Sequence, residues 1–359
     1  NSLLFRSTGG VGADVTTEVG VDVPPTALFH DLPANVLGCF FMGLAASGAV
    51  VGVSQAKVAC LPAAHAWQNN LWIQNGFRTG FCGAFTTYAS WNVSVAALFG
   101  AKAWVSALWA YFLGVSMSFT GFFMGLMVAR YLHNHWDQAA RRAPAATNTG
   151  SAGGGLHEQL LPLGHDADAD DSAALPVVVP APAPPPAEPM GTTSRVVLIG
   201  TGLLVLVLVL ATIFDTSDNG GSLRHNRARR GYWLAMLAGP FGAITRWRLG
   251  VRFNGKLPGA YKFFPIGTWL ANAIASLADG LIGAFQVRGQ SETVGMWLFV
   301  VETGYDGALS TVSSWVNELY AMWPPGPGDL KTHNRFLAYL MGTLVPICVL
   351  TLALYLWAV

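Results

Sequence analysis

Apolar residues in this chain fall in long uninterrupted runs, unlike the alternating or one-faced patterns of soluble strands and helices. About 20 mostly apolar residues cross about 30 Å of hydrocarbon, and counting such runs predicts about eight transmembrane helices. They lie near Leu32–Val53, Leu71–Phe99, Ala103–Tyr131, Arg195–Phe214, Gly231–Leu249, Phe264–Phe285, Gly295–Tyr320 and Phe336–Val359. The all-leucine-and-valine stretch Leu203–Leu210 is the most lipid-like of them. Between the third and fourth runs the pattern stops. Residues 133–194 carry the glycine-, aspartate- and proline-rich tracts Ser151–Gly155, His165–Asp171 and Val179–Pro186. Such a segment has too few large apolar side chains to offset its ordering entropy, which predicts a disordered tether. The pattern divides the chain into a first half (1–132), the tether (133–194), a lone span (195–215) and a second half (230–359).

Composition agrees. Of 359 residues, 52% are hydrophobic and only 11% charged, against about 25% charged in an average soluble domain, so the chain reads as an all-α polytopic membrane protein set in a lipid bilayer. A net charge of +1 excludes nucleic-acid binding driven by bulk charge. Cys39, Cys60, Cys82 and Cys348 form no CxxC pair, which excludes a disulfide framework and a cysteine-based zinc site. There is no Walker loop, HExxH or GxSxG motif, so the sequence reads as that of a non-enzyme.

The two halves repeat each other. Thr79-Gly-Phe-Cys-Gly-Ala-Phe-Thr-Thr-Tyr-Ala-Ser-Trp91 aligns without gaps on Thr303-Gly-Tyr-Asp-Gly-Ala-Leu-Ser-Thr-Val-Ser-Ser-Trp315, with seven of thirteen positions identical. Upstream, Ala34-Asn-Val-Leu-Gly38 answers Ala271-Asn-Ala-Ile-Ala275. Functional sites of duplicated membrane proteins lie between the repeats. If each half has four spans, the lone span forces the second half to insert upside down, giving two inverted four-helix repeats in an antiparallel pseudo-dimer. The first half shows three spans, so its first helix is expected to precede residue 1. About two thirds of the basic residues fall on the tether side, which favours a cytoplasmic tether.

Several residues admit two readings each. Gly76/Gly80 and Gly121/Gly125 read as close helix packing. Gly83, Thr86, Gly307 and Ser310 serve either packing or helix breaks whose freed carbonyls hold a small hard cation. Asn35 and Asn272 are amides at membrane depth that either link helices or line a polar path. Thr268, one turn before Asn272, shares its face, and a hydroxyl, an amide and aromatic edges with no carboxylate at that level suit a small anion. Arg246 either raises the local potential or snorkels to an interface. Asp279, Asp306 and Glu318 read as scattered through the second half. Cys82 and Ser94 stand at the counterparts of Asp306 and Glu318, so no symmetric proton relay is possible.

These motifs, with Gly239-Pro-Phe-Gly-Ala-Ile-Thr-Arg246, Gly267-Thr-Trp-Leu-Ala-Asn272 and Trp315-Val-Asn-Glu318, resemble the signature of the Fluc/FEX fluoride channel family. The resemblance implies eukaryotic exporters that fuse two four-helix units through one linking helix. It implies a structural Na⁺ on the carbonyls of Gly83, Thr86, Gly307 and Ser310. It also implies a fluoride path lined by Asn35 and Asn272, by Tyr88, Trp91 and Trp315 at the aromatic positions, and by Thr268, Ser313 and Ser314. Tyr339 and Thr343 in the last helix would continue that path, with Glu318 near its mouth and Arg246 at the first-helix arginine. Asp31 stands where the second half has Thr268, Ser94 where it has Glu318, and Val312 where the first half has Tyr88. One competent pore and one vestigial pore are therefore expected. The resemblance implies a passive channel that exports cytoplasmic fluoride across the plasma membrane and works as a single chain. The other readings are a proton-coupled small-anion transporter and a non-conducting scaffold.

Overall fold

A computed structural model describes residues 28–51, 57–142, 199–207, 209–210, 223–287, 291–323 and 329–358. The expected tether from residue 143 onward, and the expectation about a first helix before residue 1, lie outside the described residues. Much of the lone span does too; within it, 199–207 is helical.

The described residues form helices and no strand. In the first half, α1 (Leu32–Leu44) and α2 (Gly48–Val51) lead to a broken unit built from α3 (Leu71–Asn75), a π-helical turn (Gly76–Cys82) and α4 (Gly83–Phe85). Then follow α5 (Ala89–Gly100) and α6 (Trp104–Arg142). In the second half, α7 (Leu223–Phe253) and α8 (Ile266–Val287) precede a second broken unit. It comprises α9 (Glu292–Phe299), a π-helical turn (Val300–Asp306) and α10 (Gly307–Leu309), followed by α11 (Ser313–Ala321) and α12 (Leu330–Ala358).

Three described helices are individually long and apolar enough to cross a membrane: Trp104–Arg142, Ile266–Gln286 and Leu330–Trp357. The sequence count of about eight differs for physical reasons. The run Leu32–Val53 breaks after Leu44, and the runs Leu71–Phe99 and Gly295–Tyr320 are each interrupted after Phe85 and Leu309. There Thr86 (φ −111°, ψ 140°) and Ser310 (φ −80°, ψ 158°) are extended. Helix α6 in turn continues past residue 132 to Arg142, ending on two arginines; a helix C-terminus favours such charges.

Small residues set the packing. A methyl group added at Gly121 would lie 2.3 Å from the Val36 carbonyl, and one at Gly125 would lie 2.1 Å from that of Phe40, so α1 and α6 meet backbone to backbone. Gly242 and Gly304 make the same close approach between α7 and the second π-helical turn. Gly76 and Gly80 do not, because nothing lies within 4 Å of their would-be side chains. Their packing role is thus corrected: they sit on an open side of the π-helical turn. The connection 57–70 is held down by Gln68, whose amide spans Val58, Leu61 and Pro62. Arg78 ties that connection to the end of α1 by donating to Lys57 and Ala45 carbonyls, each at 2.7 Å.

Candidate functional site

The two helix breaks face each other, and their hydroxyls solve each other's backbone problem. Backbone released from a helix at membrane depth needs partners from the protein. Thr86 Oγ1 accepts from Val312 N and Ser313 N, both at 3.1 Å. Reciprocally, Ser310 Oγ accepts from Tyr88 N and Ala89 N, both at 3.2 Å. Residues 86, 88 and 89 are the repeat counterparts of 310, 312 and 313, so each half caps the restarting helix of the other. A contact in which i meets j and j meets i is what two-fold symmetry generates. Ser313 Oγ also donates to the Cys82 carbonyl at 3.0 Å, and Ser314 N donates to Thr311 Oγ1 at 3.2 Å.

The two asparagines complete the breaks. Asn35 accepts from Thr87 N at 2.8 Å and donates to its carbonyl at 3.0 Å. Asn272 does the same to Thr311, at 2.8 and 3.2 Å. Both amides are fully buried, and each clamps the N–H and C=O of a single residue, which leaves it one spare N–H.

Arg246 joins the breaks from α7. It is buried, at 3% exposure, which rules out snorkelling. Its guanidinium donates to the carbonyls of Thr79 in one half and of Ala308 and Ser310 in the other. Gly83 makes room for it, since a methyl there would lie 2.3 Å from Nη2. Carbonyls are suitable ligands for a hard cation such as Na⁺. Among Gly83, Thr86, Gly307 and Ser310, however, the Ser310 oxygen already accepts from Arg246 at 3.2 Å. A carbonyl oxygen has two acceptor sites, so this single hydrogen bond leaves the set able to hold such an ion, and no step is derived through one.

Around the breaks the halves diverge. Tyr88, Trp91 and Trp315 are fully buried and form one edge-contact cluster, with ring centroids 5.5 Å (Tyr88–Trp91), 5.8 Å (Tyr88–Trp315) and 6.2 Å (Trp91–Trp315) apart. Val312 offers no ring in return. Toward one end, Glu318 accepts from Thr268 Oγ1 and Tyr339 OH, both at 2.6 Å. Asn254 donates to the same carboxylate at 3.4 Å while accepting from Gly267 N at 2.7 Å and Thr268 N at 3.3 Å. These are first-turn N–H groups of α8, so the carboxylate sits where a helix N-terminus favours negative charge. The expectation of no carboxylate at the Thr268 level is thereby corrected: the Glu318 side chain on α11 reaches Thr268 on α8. Toward the other end, Tyr88 OH donates to the Thr343 carbonyl at 3.3 Å. Beyond it, Asn92 donates to Thr351 Oγ1 at 2.9 Å and accepts from Tyr111 OH at 3.1 Å. Thr343 is buried and donates to the Tyr339 carbonyl at 2.7 Å.

The opposite column is poorer. Asp31 accepts from Ser90 Oγ, and Ser94 Oγ turns back to the Ser90 carbonyl at 2.9 Å. Val316 stands where the first column has Asn92, and Val115 where it has Thr343.

Asn254, Asn92, Thr351 and Tyr111 escaped the sequence reading. A signal existed for Tyr111, because Ala110-Tyr-Phe-Leu-Gly114 repeats as Ala338-Tyr-Leu-Met-Gly342. Asp279 on α8 and Asp306 on the second π-helical turn are both buried, and those two elements pack on each other. Pro346, which has no N–H, leaves the Gly342 carbonyl of α12 without its helical partner; the Trp269 indole donates to it at 2.9 Å.

A duplicated helical chain, with long apolar helices and a buried polar column where its repeats meet, defines a two-repeat integral membrane protein. The family described as CrcB-like protein, camphor resistance, matches residues 5–126 and again 233–354, more than half of the sequence, and the chain belongs to that family. It is 31% identical over 129 residues to fluoride export protein 1 of Neurospora crassa, covering 35% of this chain and 24% of that protein. It is 29% identical over 113 residues to the fluoride-specific ion channel FluC of Escherichia coli O1:K1, covering 32% of this chain and 85% of that protein. To FluC of Pyrococcus horikoshii it is 34% identical over 93 residues, covering 26% of this chain and 71% of that protein. No solved structure matches the chain.

Proposed function

We propose that the chain is a passive, fluoride-selective channel that exports cytoplasmic fluoride across the plasma membrane. The names of its relatives support this reading. The single observation that carries it is the column from Glu318 to Thr351, in which buried hydroxyls, amides and aromatic rings replace water around a small anion. HF that enters from acidic surroundings ionises at neutral pH, and a negative-inside membrane expels the anion. That drive is worth about 2.3 kcal/mol per 100 mV, so neither ATP nor a coupled proton is required.

In this reading the halves, 1–132 and 230–359, are inverted four-helix repeats, with the tether and the lone span between them. The reciprocal caps at Thr86 and Ser310 support a two-fold axis, and duplication places such an axis in the membrane plane. Fluoride moves past Asn272, Tyr88, Trp91, Trp315, Ser313, Ser314 and the Thr268–Glu318–Tyr339–Thr343 group, while the Asp31 column is vestigial. A structural sodium ion would be held by the carbonyls of Gly83, Thr86, Gly307 and Ser310, with the Ser310 oxygen shared with Arg246.

The test is fluoride efflux from liposomes holding the purified chain, with valinomycin carrying K⁺ and no pH gradient. Rapid fluoride release with chloride retained is expected. The Asp279–Asp306 pair is the observation that favours proton-coupled transport, and release only under a pH gradient would establish that reading instead.

A further inference from the structure

Trp91 and Trp315 are repeat counterparts, equally buried at 0% exposure, yet their indole N–H groups have different fates. Trp91 Nε1 donates to the Ala110 carbonyl at 3.2 Å. Trp315 Nε1 is buried with no hydrogen-bond partner among the described residues. The difference has a local cause. Gly114 lets α6 lie flush on Trp91, since a methyl there would fall 2.3 Å from the indole ring, and α6 thereby presents a carbonyl. At the equivalent Gly342, α12 faces Phe264 instead, and the Gly342 carbonyl is taken by Trp269.

An indole N–H only donates, and buried donors are nearly always paired with protein, water or ligand. This donor belongs to the Tyr88–Trp91–Trp315 ring cluster, in which the Tyr88 hydroxyl is already spent on Thr343. Its partner must be an acceptor, and an ionised acceptor binds a fixed N–H about twice as strongly as a neutral one.

We propose that Trp315 Nε1 is a hydrogen-bond donor to the permeating halide, giving this chain a directional N–H at a position where a hydrocarbon ring offers only its edge. The donor discriminates for fluoride, the strongest acceptor among the halides, over chloride. The proposal rests on the channel reading above.

Replacing Trp315→Phe keeps a ring and removes the N–H. In liposome efflux measured against fluoride concentration, the half-saturating concentration should rise about ten- to a hundredfold, with chloride leak unchanged. Flux within about twofold of wild type at every concentration would overturn the proposal, because the loss of a hydrogen bond to an anion is larger than that. A second measurement does not depend on the variant folding. The full chain, labelled with ¹⁵N at its thirteen tryptophan indoles and held in detergent micelles, is titrated with NaF and separately with NaCl. One indole N–H resonance should shift with fluoride and not with chloride; no fluoride-specific shift overturns the proposal. A wild-type chain that passes no fluoride contradicts the channel reading, whereas a conducting wild type with an unresponsive Trp315→Phe contradicts only the role of the indole.

Discussion

The two columns flanking the helix breaks begin from one repeated sequence and end as different environments. At one end Glu318 gathers Thr268, Tyr339 and Asn254; at the equivalent level of the other column Asp31 holds Ser90 and its neighbour His30. Deeper in, Tyr88, Asn92 and Thr343 face the first column where Val312, Val316 and Val115 stand in the second. By contrast, the breaks themselves have stayed symmetric, with Thr86 and Ser310 capping across the interface and Asn35 and Asn272 clamping the equivalent residues Thr87 and Thr311. Symmetry is retained where two backbones must satisfy each other and lost among the side chains of the flanking columns. A single chain permits that division, because each half is free to change without the other changing too.

Substitutions can break or sharpen this contrast. Asn272→Asp should have the largest effect. It removes the N–H donated to Thr311 and sets a carboxylate against a carbonyl, so fluoride efflux should fall about a hundredfold. Asn35→Asp in the opposite column should cost stability, read as a lower melting temperature, with a smaller loss of flux. Equal flux losses would mean that both columns conduct. Next comes Glu318→Gln, expected to slow efflux about tenfold, with Ser94→Ala leaving it within about twofold. Asn92→Val installs the residue that the opposite column carries at Val316, so it should fold normally and slow efflux about three- to tenfold. The smallest effect belongs to Trp269→Phe, which strands the Gly342 carbonyl that Pro346 has released. It should lower stability by about 1 kcal/mol, seen as a drop of a few degrees in melting temperature, with flux unchanged.

Much of the fold was legible because duplication leaves a signal that needs no structure. The thirteen-residue repeat marked the two segments that break, and an asparagine in each preceding apolar motif marked the two buried amides. What stayed hidden depends on packing. Whether Gly83 and Thr86 break a helix or merely pack it cannot be told from residue types, since both uses call for small and hydroxyl side chains. Glu318 and Thr268 are 50 residues apart, and their hydrogen bond exists only through the tertiary fold. Asp279 and Asp306 were read as isolated for the same reason. Gly76 and Gly80 show the converse: the spacing suits close packing, but the π-helical turn rotates them away from any neighbour. Asn92 and Thr351 carry no local motif, and only the seating of α12 on α5 pairs them.

The most direct test of a single conducting column compares two double substitutions in the same fluoride-efflux assay. Thr268→Val with Tyr339→Phe removes both hydroxyl donors from Glu318, while Ser90→Ala with Ser94→Ala strips the hydroxyls from the Asp31 column. The account predicts that the first pair abolishes passive fluoride release and the second leaves it close to wild type. Equal and partial losses from the two pairs would show two working pores and contradict it.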